Sequence, residues 1–501
     1  MMKQYDDIII GFGKGGKTLA AELARQGHKV AMIERSDKMY GGTCINIGCI
    51  PTKTLVHAAK LAPHGVSWTD QKNYYAQAIR QKEDVVSLLR QKNYDNLTHH
   101  PNITVYTGTG SFTSPDKVEV SLSGREKETL QAPRIFINTG AESIIPPIEG
   151  IKGNPHVFTS TSIMELKELP EKLAVIGGGY VGLEFASMYA SFGSQVTVLE
   201  GHADLIPRED RDVADIVKDV LEKKGITFRM NAKVQSIAGK EIAVRDAVSG
   251  EPFHLEADAI LLATGRRPFT EGLNLEAAGV ETDERGAVKV NERLQTTNPH
   301  VWAIGDVKGG LQFTYISLDD YRIIREDLFG DSARSTADRD PVGYSVFIDP
   351  PLSRIGLNEE EALRKGLNVK IGKLPVAGIP RARTLGETEG LFKVVIDADT
   401  NKIVGCMLFG PESSEVLNSV AVAMKAGMDY TFLRDFIFTH PSMSEALNDL
   451  IYGRCRAGVG APHRGRPAAQ PRHRGRQHLQ PLRFLRRTHH VPRAERFRRA
   501  F

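Results

Sequence analysis

The stretch GGTCINIGCIPTK, at residues 41–53, decides the fold of this chain. It contains Cys44 and Cys49, two of the four cysteines in the sequence. Residues five positions apart point to different sides of an ideal helix, so a bridge between them requires irregular backbone, which the glycines of this stretch permit. A helical run follows at 54–60. We therefore expect the pair to lie at a helix N-terminus, where the helix dipole favours a thiolate.

The residues alone leave three interpretations of the cysteine pair open. It is a redox-active dithiol/disulfide, two reduced structural cysteines that happen to be close, or half of a zinc site. Zinc requires two further ligands, and no second cysteine pair or closely spaced Cys/His group follows in the sequence. We favour the redox-active pair and predict no resident metal.

A glycine-rich turn near the N-terminus precedes the cysteine stretch. The pattern is strand, glycine turn, helix and strand, at residues 5–10, 11–16, 18–26 and 29–33. In such a GxGxxG unit, Gly11 makes the tight turn, Gly13 lets a pyrophosphate approach, and Gly16 lets helix and strand pack. Glu34, at the end of the second strand, is placed to bind a ribose hydroxyl. A lone GxGxxG is often only a turn, but these flanking elements favour a dinucleotide site.

The same unit recurs in the middle of the chain. Its strand, glycine turn, helix and strand occupy residues 172–176, 177–182, 183–192 and 195–199. Gly177, Gly179 and Gly182 hold the fingerprint positions, and Glu200 lies 23 residues after the first glycine, as Glu34 does in the first unit. Two intact fingerprints favour two bound dinucleotides over one site and a decayed duplicate.

The sequence GGTCxNxGCxPTK resembles the active-site signature of the class I pyridine nucleotide-disulfide oxidoreductases, which include glutathione reductase, dihydrolipoamide dehydrogenase and mercuric reductase. This resemblance implies an α/β fold with two Rossmann-like dinucleotide-binding domains and an α+β C-terminal dimerisation domain. We expect FAD-binding segments at 1–150 and 268–340, an NAD(P)-binding domain at 151–267 and an interface domain at 341–451. The implied partner is a second copy of the chain in a homodimer.

The resemblance implies that FAD occupies the first fingerprint and NAD(P)H the second. Glu200, at the end of the second strand, can accept hydrogen bonds from a free 2′-hydroxyl and repels a 2′-phosphate. No arginine follows it closely, since residues 201–203 are Gly-His-Ala. We therefore predict NADH rather than NADPH as the electron donor.

The resemblance also implies roles for individual side chains. Cys49 is the thiol beside the flavin, and Cys44 attacks the electron acceptor. Lys53 and Glu184 match a Lys–Glu pair near the flavin N5 atom, and Tyr180 matches the residue that gates the nicotinamide pocket. The plain alternatives are a surface lysine after a turn and a tyrosine that packs on the glycine turn.

Further cofactor-binding positions follow from the same resemblance: Gly42, Thr43, Gly140, Gly265, Gly305 and Asp306. Gly140 and Gly265 follow apolar strands that close the first FAD segment and the NAD domain. A buried strand ends in Gly305-Asp306, so that its carboxylate can meet a flavin ribityl hydroxyl. In isolation a Gly-Asp pair is usually a turn.

The motif THPSMSE, at residues 439–445, lies near the end of the expected interface domain. By resemblance, His440 lies beside the disulfide of the partner subunit and Glu445 orients it. A single histidine is more often structural than catalytic. Mercuric reductases generally lack this histidine, so its presence argues against a dedicated mercury enzyme.

Composition and charge divide the chain into an acidic body and a basic tail. Residues 452–501 contain 14 Arg, no Lys and one Glu, whereas the preceding residues carry 51 basic and 60 acidic side chains, a net charge of −9. The tail resembles either a disordered nucleic-acid-binding arm or an artefactual extension, and we favour the latter. Cys455 is isolated in this tail, and Cys406 lies in an apolar strand and is expected in the core.

The body has the composition of a globular protein, with 41% hydrophobic and 25% charged residues. The sequence contains no run of 18 apolar residues and no signal-peptide layout at its start, so we expect a cytoplasmic protein without a membrane partner.

The body most closely resembles a mercuric-reductase-like group of bacterial flavoenzymes linked to resistance to reactive chlorine and to copper(II) reduction. The segments that carry this resemblance are 314–323, 375–383 and 437–450. The leading prediction is an NADH-dependent, FAD-containing reductase of metal ions such as Cu(II) that protects against oxidative stress. The alternatives are a reductase of a small disulfide, of the dihydrolipoamide dehydrogenase or glutathione reductase type, and nucleic-acid binding through the Arg-rich tail.

Overall fold

A computed structural model of the chain describes residues 2–122, 126–452 and 456–457. Most of the predicted tail, including Cys455, lies outside the described residues, and the predictions about its disorder and nucleic-acid binding fall there as well. Among the described residues, no helix is both long enough and apolar enough to cross a membrane.

The helices of the described residues lie between and beside several β-sheets. In chain order they are α1 (Lys14–Arg25), α2 (Gly42–Asn46), α3 (Cys49–Lys60), α4 (Trp68–Thr98), α5 (Tyr180–Phe192), α6 (Arg211–Lys223), α7 (Thr314–Phe329), α8 (Glu359–Arg364), α9 (Pro380–Leu385), α10 (Ser413–Lys425), α11 (Tyr430–Arg434) and α12 (Ala446–Tyr452).

The strands of the described residues pair into several sheets. They are β1 (Lys3–Gln4), β2 (Asp7–Ile10), β3 (Val30–Glu34), β4 (Ile103–Ser114), β5 (Lys117–Leu122), β6 (Lys127–Gln131), β7 (Arg134–Ile137), β8 (Ala141–Ser143), β9 (Val157–Thr159), β10 (Lys172–Ile176), β11 (Gln195–Leu199), β12 (Thr227–Arg229), β13 (Ala232–Ala238), β14 (Glu241–Asp246), β15 (Pro252–Glu256), β16 (Ala259–Leu262), β17 (Arg266–Pro268), β18 (Val301–Ala303), β19 (Tyr344–Val346), β20 (Leu352–Gly356), β21 (Val369–Pro375), β22 (Leu391–Asp397), β23 (Ile403–Phe409) and β24 (Arg456–Ala457).

Two parallel sheets share one strand order, which confirms the predicted pair of Rossmann-like units. The parallel part of the first sheet runs β4-β3-β2-β7-β18, and the second sheet runs β12-β11-β10-β16-β9. In both, the strand that precedes the glycine turn lies at the centre, so the turn opens at the carboxyl edge of the sheet. Dinucleotides bind at that edge in doubly wound folds.

Antiparallel sheets complete the architecture. The first sheet continues through β5, β6 and β1, and β13-β14-β15 form a separate meander. Beyond residue 341 the strands form a six-stranded sheet in the order β19-β20-β23-β22-β21-β24, with helices packed against it. This α+β arrangement is the one expected for the C-terminal region.

Strand β2 is buried on both faces because it lies at the centre of the first sheet. Ile8 and Ile10 pack into one hydrophobic core and Ile9 packs into another on the opposite face. A strand covered on both sides has a continuous apolar sequence, and for that reason the run Ile8-Ile9-Ile10 before the glycine turn predicted it correctly. Cys406 is fully buried within β23, as expected.

Both dinucleotide-facing helices begin earlier than the sequence predicted. We expected helix at 18–26 and 183–192, whereas α1 begins at Lys14 and α5 at Tyr180, each directly after a glycine. The prediction was wrong because Gly15 and Gly16 have low helix propensity. They are required there by close packing, since a Cβ at Gly15 would lie 2.4 Å from the Ser317 carbonyl oxygen.

The helical run predicted at 54–60 ends where α3 ends, and a separate helix follows it. α3 ends at Lys60 and α4 begins at Trp68, with Ser67 as its N-cap. The intervening loop contains Pro63 and Gly65, and Gly65 has a φ of +71°. A proline and a left-handed glycine so close together interrupt a helix.

A buried cation joins the second Rossmann unit to the C-terminal sheet. The Lys393 side chain, on β22, is 1% exposed, and its Nζ lies 2.7 Å from carboxylate oxygens of both Asp210 and Glu359. Asp210 is the N-cap residue of α6, and Glu359 begins α8. Because these partners come from separate parts of the chain, the cluster fixes how the two regions pack.

We expect Lys393→Met to lower the free energy of unfolding by about 3 kcal/mol, because it leaves two carboxylates beside a buried position without their cation. Equilibrium urea denaturation of the FAD-loaded protein measures this. Lys289→Ala is the control, since Lys289 contacts Glu281 at 2.9 Å on the surface and such pairs contribute at most about 1 kcal/mol. Equal effects of the two substitutions would contradict the assigned role of Lys393.

Candidate active site

Most of the predicted site residues line one cavity of about 1010 Å³. The cavity runs along the carboxyl edge of the first sheet and reaches the N-terminus of α5 and the start of the C-terminal region. The predicted residues that line it are Gly11, Gly13, Glu34, Gly42, Thr43, Cys44, Cys49, Lys53, Gly140, Tyr180, Glu184 and Asp306.

The first glycine turn forms a backbone cradle around Asn138. Gly11 has a φ of +106°, and a Cβ there would lie 2.3 Å from the Asn138 carbonyl oxygen. The Asn138 side chain accepts a hydrogen bond from the Gly16 amide at 3.0 Å and donates one to the Ile304 carbonyl at 2.8 Å. Gly13 lies so close to the same Oδ1 atom that there is no room for a side chain on it. This bare backbone at a helix N-terminus fits a pyrophosphate.

The cysteine stretch lies directly against this turn. Gly42 has a φ of +75°, and a Cβ on it would come within 2.5 Å of the Gly13 Cα atom. Thr43 follows, and its Oγ1 lies near Gly140 on the opposite wall. The two motifs, separated in sequence, therefore form one continuous surface of the cavity.

The acids at the carboxyl ends of β3 and β11 have the same local geometry. Glu34 accepts hydrogen bonds from the amides of Phe12 at 3.0 Å and Ser36 at 3.3 Å. Glu200 accepts from the amides of Gly178 at 2.7 Å and His202 at 2.9 Å. Burial raises the pKa of Glu34 above its usual value. Each acid thereby ties its own strand end to the adjacent glycine turn.

The second glycine turn fits a dinucleotide for the same reasons as the first. Gly177 has a φ of +108°, and Gly182 lies so close to it that a Cβ would be 2.1 Å from the Gly177 carbonyl oxygen. Apart from its neighbours along the chain, no atom of the described residues lies within 4 Å of a Cβ built on Gly179, so this backbone is open to a ligand. Gly265, with a φ of +106°, begins the turn after β16.

The cysteine pair lies across a break between two helices. Cys44 is in α2 and Cys49 is the first residue of α3, which confirms the predicted helix N-terminus for Cys49. Both are free thiols, and Cys49 is exposed to the cavity. Its Sγ lies 3.3 Å from the Oγ1 of Thr314, the first residue of α7.

The surroundings of Cys49 favour its thiolate. The hydrogen bond from Cys44, together with that from Thr314 and the charge of Lys53, lowers the pKa of Cys49 to about 6. The pKa of Cys44 is raised, because this thiol is the donor to Cys49 and is partly buried. The pair therefore contains one thiolate and one thiol at neutral pH.

Lys53 is an ion-pair partner in the cavity wall rather than a free surface lysine. Its Nζ lies 2.6 Å from the Glu184 Oε2 atom and 4.6 Å from the centre of the Phe347 ring. Glu184 also accepts a hydrogen bond from the Phe347 amide at 2.7 Å. These contacts join α3, α5 and the C-terminal region beside the cysteine pair.

Gly305 and Asp306 lie at the far end of the same cavity wall. The Gly305 amide donates a 2.7 Å hydrogen bond to the buried carboxylate of Asp320. Burial raises the pKa of Asp306, and the charges of Arg266 and Lys308 oppose that shift. The Asp306 carboxylate lines the cavity, where it can bind a hydroxyl group.

His440 and Glu445 are not among the cavity-lining residues. The His440 side chain is 70% exposed, and its Nδ1 lies 2.7 Å from the Glu445 Oε2 atom. The other Glu445 oxygen accepts from the Ser442 amide at 3.2 Å. Within one chain, the structure therefore brings histidine and glutamate together but does not place them at the cysteine pair.

Sequence reasoning missed the roles of several residues of the site. Asn138 organises the first turn, Thr314 contacts Cys49, and Asp320 holds Gly305. Asn138 has a weak signal, since it is a polar residue that directly follows an apolar strand. Thr314 and Asp320 lie in the segment 314–323 that carries the resemblance, but that segment does not indicate their contacts, because only the fold brings Cys49 and Gly305 to them.

Comparison with known protein families gives two matches along the chain. A model of the pyridine nucleotide-disulphide oxidoreductases matches residues 5–320. A model of the dimerisation domain of the same family matches residues 342–451. Together they span the region that contains both Rossmann-like units and the C-terminal sheet.

Individual relatives agree with these matches. The chain is 50% identical over 450 residues to the probable pyridine nucleotide-disulfide oxidoreductase RclA of Escherichia coli (strain K12), which covers 90% of this chain and 99% of RclA. It is 34% identical to a mercuric reductase of Staphylococcus aureus, over 88% of this chain and 81% of that enzyme.

Solved structures show the same similarity. The Cu(II) complex of the HOCl-induced flavoprotein disulfide reductase RclA from Escherichia coli superposes with a TM-score of 0.85 at 48% sequence identity, over 90% of this chain and 99% of that one. The same E. coli protein described without copper gives a TM-score of 0.83 at 49% identity, with 89% and 99% coverage.

We expect alkylation of Cys49 by iodoacetamide to rise with pH around a midpoint of about 6, since only the thiolate reacts. Thr314→Val should move this midpoint upward by about one pH unit, because it removes a hydrogen bond to the thiolate. Mass spectrometry of the Cys49 peptide from phosphine-reduced, FAD-loaded protein measures the rate.

Thr384→Val is the control, because the Thr384 hydroxyl bonds the Arg381 carbonyl at 2.8 Å on the exposed α9. An unchanged midpoint in Thr314→Val would show that the hydroxyl does not stabilise the Cys49 thiolate.

Proposed function

The chain belongs to the pyridine nucleotide-disulphide oxidoreductase family and is a flavoprotein disulfide reductase with FAD, and on that premise we propose that it uses NADH to reduce metal ions such as Cu(II). In this role it protects the cytoplasm against reactive chlorine and related oxidants. The observation that carries the proposal is the cysteine pair itself, with Cys49 exposed as a stabilised thiolate in the cavity that holds the FAD-binding motifs.

The residues around the pair fit two-electron transfer to a soft metal ion. The nicotinamide and flavin, when bound, supply hydride transfer and deliver two electrons to the cysteines. We assign Cys49 to the flavin side and Cys44 to the acceptor side. Oxidation of the Cys44 thiol and the Cys49 thiolate to a disulfide releases two electrons and one proton, and the two electrons reduce two Cu(II) to two Cu(I). Thiolates are ligands that favour Cu(I).

The similarity to E. coli RclA supports copper as the acceptor. That protein is described as HOCl-induced and has been solved as a Cu(II) complex, and it is 48% identical to this chain over 90% of this chain's length. Mercuric reductases are more distant, at 34% identity. We therefore place the acceptor among soft metal ions and favour copper over mercury.

We propose the following roles for the remaining parts of the chain. Segments 1–150 and 268–340 bind FAD, 151–267 binds NADH, and 341–451 forms the interface of a homodimer, as the matched dimerisation domain indicates. The pair of His440 and Glu445 would then act at the partner's cysteine pair rather than at its own.

A second candidate function is the reduction of a small disulfide. The observation that favours it is the exposed His440, whose Nδ1 is held by Glu445 at 2.7 Å. A departing thiolate requires a proton, which such a histidine can supply, whereas a reduced metal ion requires none. The two functions therefore differ in their dependence on His440.

We expect the FAD-loaded protein, titrated with NADH without oxygen, to develop a long-wavelength absorbance band from the Cys49 thiolate beside the flavin. Added Cu(II) should then reoxidise the protein, and lipoamide or glutathione disulfide should not. Cys44→Ser should retain reduction by NADH. It should lose at least about 90% of its turnover with Cu(II), a loss on the order of tenfold, because it removes the thiol assigned to the acceptor side.

His440→Gln serves as the matched variant for this titration. Copper reduction should stay within about twofold of the wild type, because no proton is transferred to the metal. If instead a single disulfide reoxidises the wild-type protein and does not reoxidise His440→Gln, the protein is a reductase of that small disulfide. Failure of both NADH and NADPH to reduce the flavin would contradict both candidates.

The preference for NADH depends on the charge of Glu200. We expect Glu200→Ala to lower the ratio of kcat/KM for NADH over NADPH by about tenfold, since it removes both an acceptor for the 2′-hydroxyl and the repulsion of a 2′-phosphate. Steady-state kinetics with both donors measure the ratio. Glu241→Ala, at an exposed position of β14, is the control; an unchanged ratio in Glu200→Ala would locate donor selection elsewhere.

A further inference from the structure

A hydrogen-bonded group of two tyrosines and one glutamate lies where α5 meets the cavity. Tyr180 is the first residue of α5 and lines the cavity together with Cys49. Its hydroxyl donates to the Glu209 Oε1 atom at 2.5 Å and lies 3.0 Å from the hydroxyl of Tyr344. The Tyr344 hydroxyl donates to the same Oε1 atom. The Tyr180 side chain is therefore fixed at its hydroxyl group, and its backbone is fixed by the helix.

Glu209 is built to be an anionic acceptor. It is 2% exposed, and its Oε2 atom accepts no hydrogen bond from the described part of the chain. The buried guanidinium of Arg354, on β20, lies 3.7 Å from that oxygen and balances its charge. Hydrogen bonds to an ionised acceptor are roughly twice as strong as those between neutral groups.

The two tyrosines stay protonated and can only donate to this carboxylate. Burial, and then the Glu209 charge, raise the pKa of both Tyr180 and Tyr344 above the usual range. The group also crosses between regions of the chain, since Tyr180 and Glu209 belong to the second Rossmann unit whereas Tyr344 belongs to β19. The two rings pack with their centres 5.6 Å apart.

Tyr180 lies between the second glycine turn and the cysteine pair. The turn Gly177–Gly179 precedes it directly, and one helical turn later Glu184 contacts Lys53 at 2.6 Å. On the other side, the Tyr344 ring stacks on Phe313, with centres 6.1 Å apart, and the next residue, Thr314, contacts Cys49. A nicotinamide that extends from the turn towards the cysteines must pass the Tyr180 ring.

We propose that Glu209 is a positioning residue that, with Tyr344, latches the Tyr180 side chain across the path of the nicotinamide, so that the dinucleotide must break this latch to bind. The inference rests on the proposed NADH-dependent function and adds a residue that has no motif in the sequence. A latched ring lowers affinity for the dinucleotide and leaves the reacting atoms untouched. Loss of the latch therefore increases affinity, whereas loss of a supporting contact would decrease it or leave it unchanged.

The experiment measures the Kd of NAD+ for the FAD-loaded protein by isothermal titration calorimetry, which does not depend on turnover. Tyr180→Phe keeps the ring and deletes the latched hydroxyl, so we expect Kd to fall by about tenfold. Glu209→Gln keeps the shape of the acceptor and removes its charge, so Kd should fall by about threefold. The limiting rate of flavin reduction by NADH in Glu209→Gln should stay within about twofold of the wild type.

A double-mutant cycle distinguishes the latch from two independent effects. The double variant should bind NAD+ no more than about twofold more tightly than Tyr180→Phe alone, since there is one latch to lose. Tyr75→Phe is the matched control, because the buried hydroxyls of Tyr75 and Tyr189 are also 3.0 Å apart but lie away from the cavity. Its Kd should equal that of the wild type.

The outcomes separate the latch from the function on which it rests. An unchanged or higher Kd in Tyr180→Phe, or additive effects of the two substitutions, would overturn the latch while the wild type still binds NAD+. If Glu209→Gln does not fold, Tyr180→Phe alone still tests the latch, because the direction in which its Kd for NAD+ changes supports or overturns it. A wild-type protein that binds neither NAD+ nor NADP+ would overturn the proposed function, and the latch with it.

Discussion

The cysteine pair can reach the first glycine turn only because two glycines meet without side chains. A Cβ on Gly42 would lie 2.5 Å from the Cα of Gly13, a distance that real contacts do not show. This approach places α2 and α3 against the carboxyl edge of the first sheet, so that Cys49 opens into the same cavity as the fingerprint. A larger residue at Gly42 would clash with the Gly13 backbone and separate the thiols from this glycine turn.

Ion pairs that cross between regions hold the rest of the site around this contact. Lys53 and Glu184 connect the cysteine helix to the second Rossmann unit, and Glu184 continues to the backbone of Phe347. Lys393 connects the same unit to the C-terminal sheet from the opposite side. The cavity is therefore shaped by three parts of the chain, and changes in their packing act directly on the site.

The sequence predicts the parts of this structure that depend on local backbone. The glycine turns, their terminal acids and the helix that begins at Cys49 follow from residues that are neighbours in the chain, and the structure confirms their geometry. Helix starts were misplaced because Gly15 and Gly16 are selected for close packing rather than for helix propensity. The roles of Asn138, Thr314 and Glu209 were not predicted, since each acts through partners that only the fold brings near.

The way in which Asn138 joins two distant segments has a consequence for biosynthesis. Its side chain bonds the Gly16 amide and the Ile304 carbonyl, and β18 (Val301–Ala303) completes the first sheet beside β7. A ribosome must therefore release about three hundred residues before the first sheet can close. The N-terminal segment waits through the synthesis of the whole second Rossmann unit, which has its own strands and can form first. The first sheet is consequently completed late on the nascent chain, although the glycine turn at 11–16 is translated first.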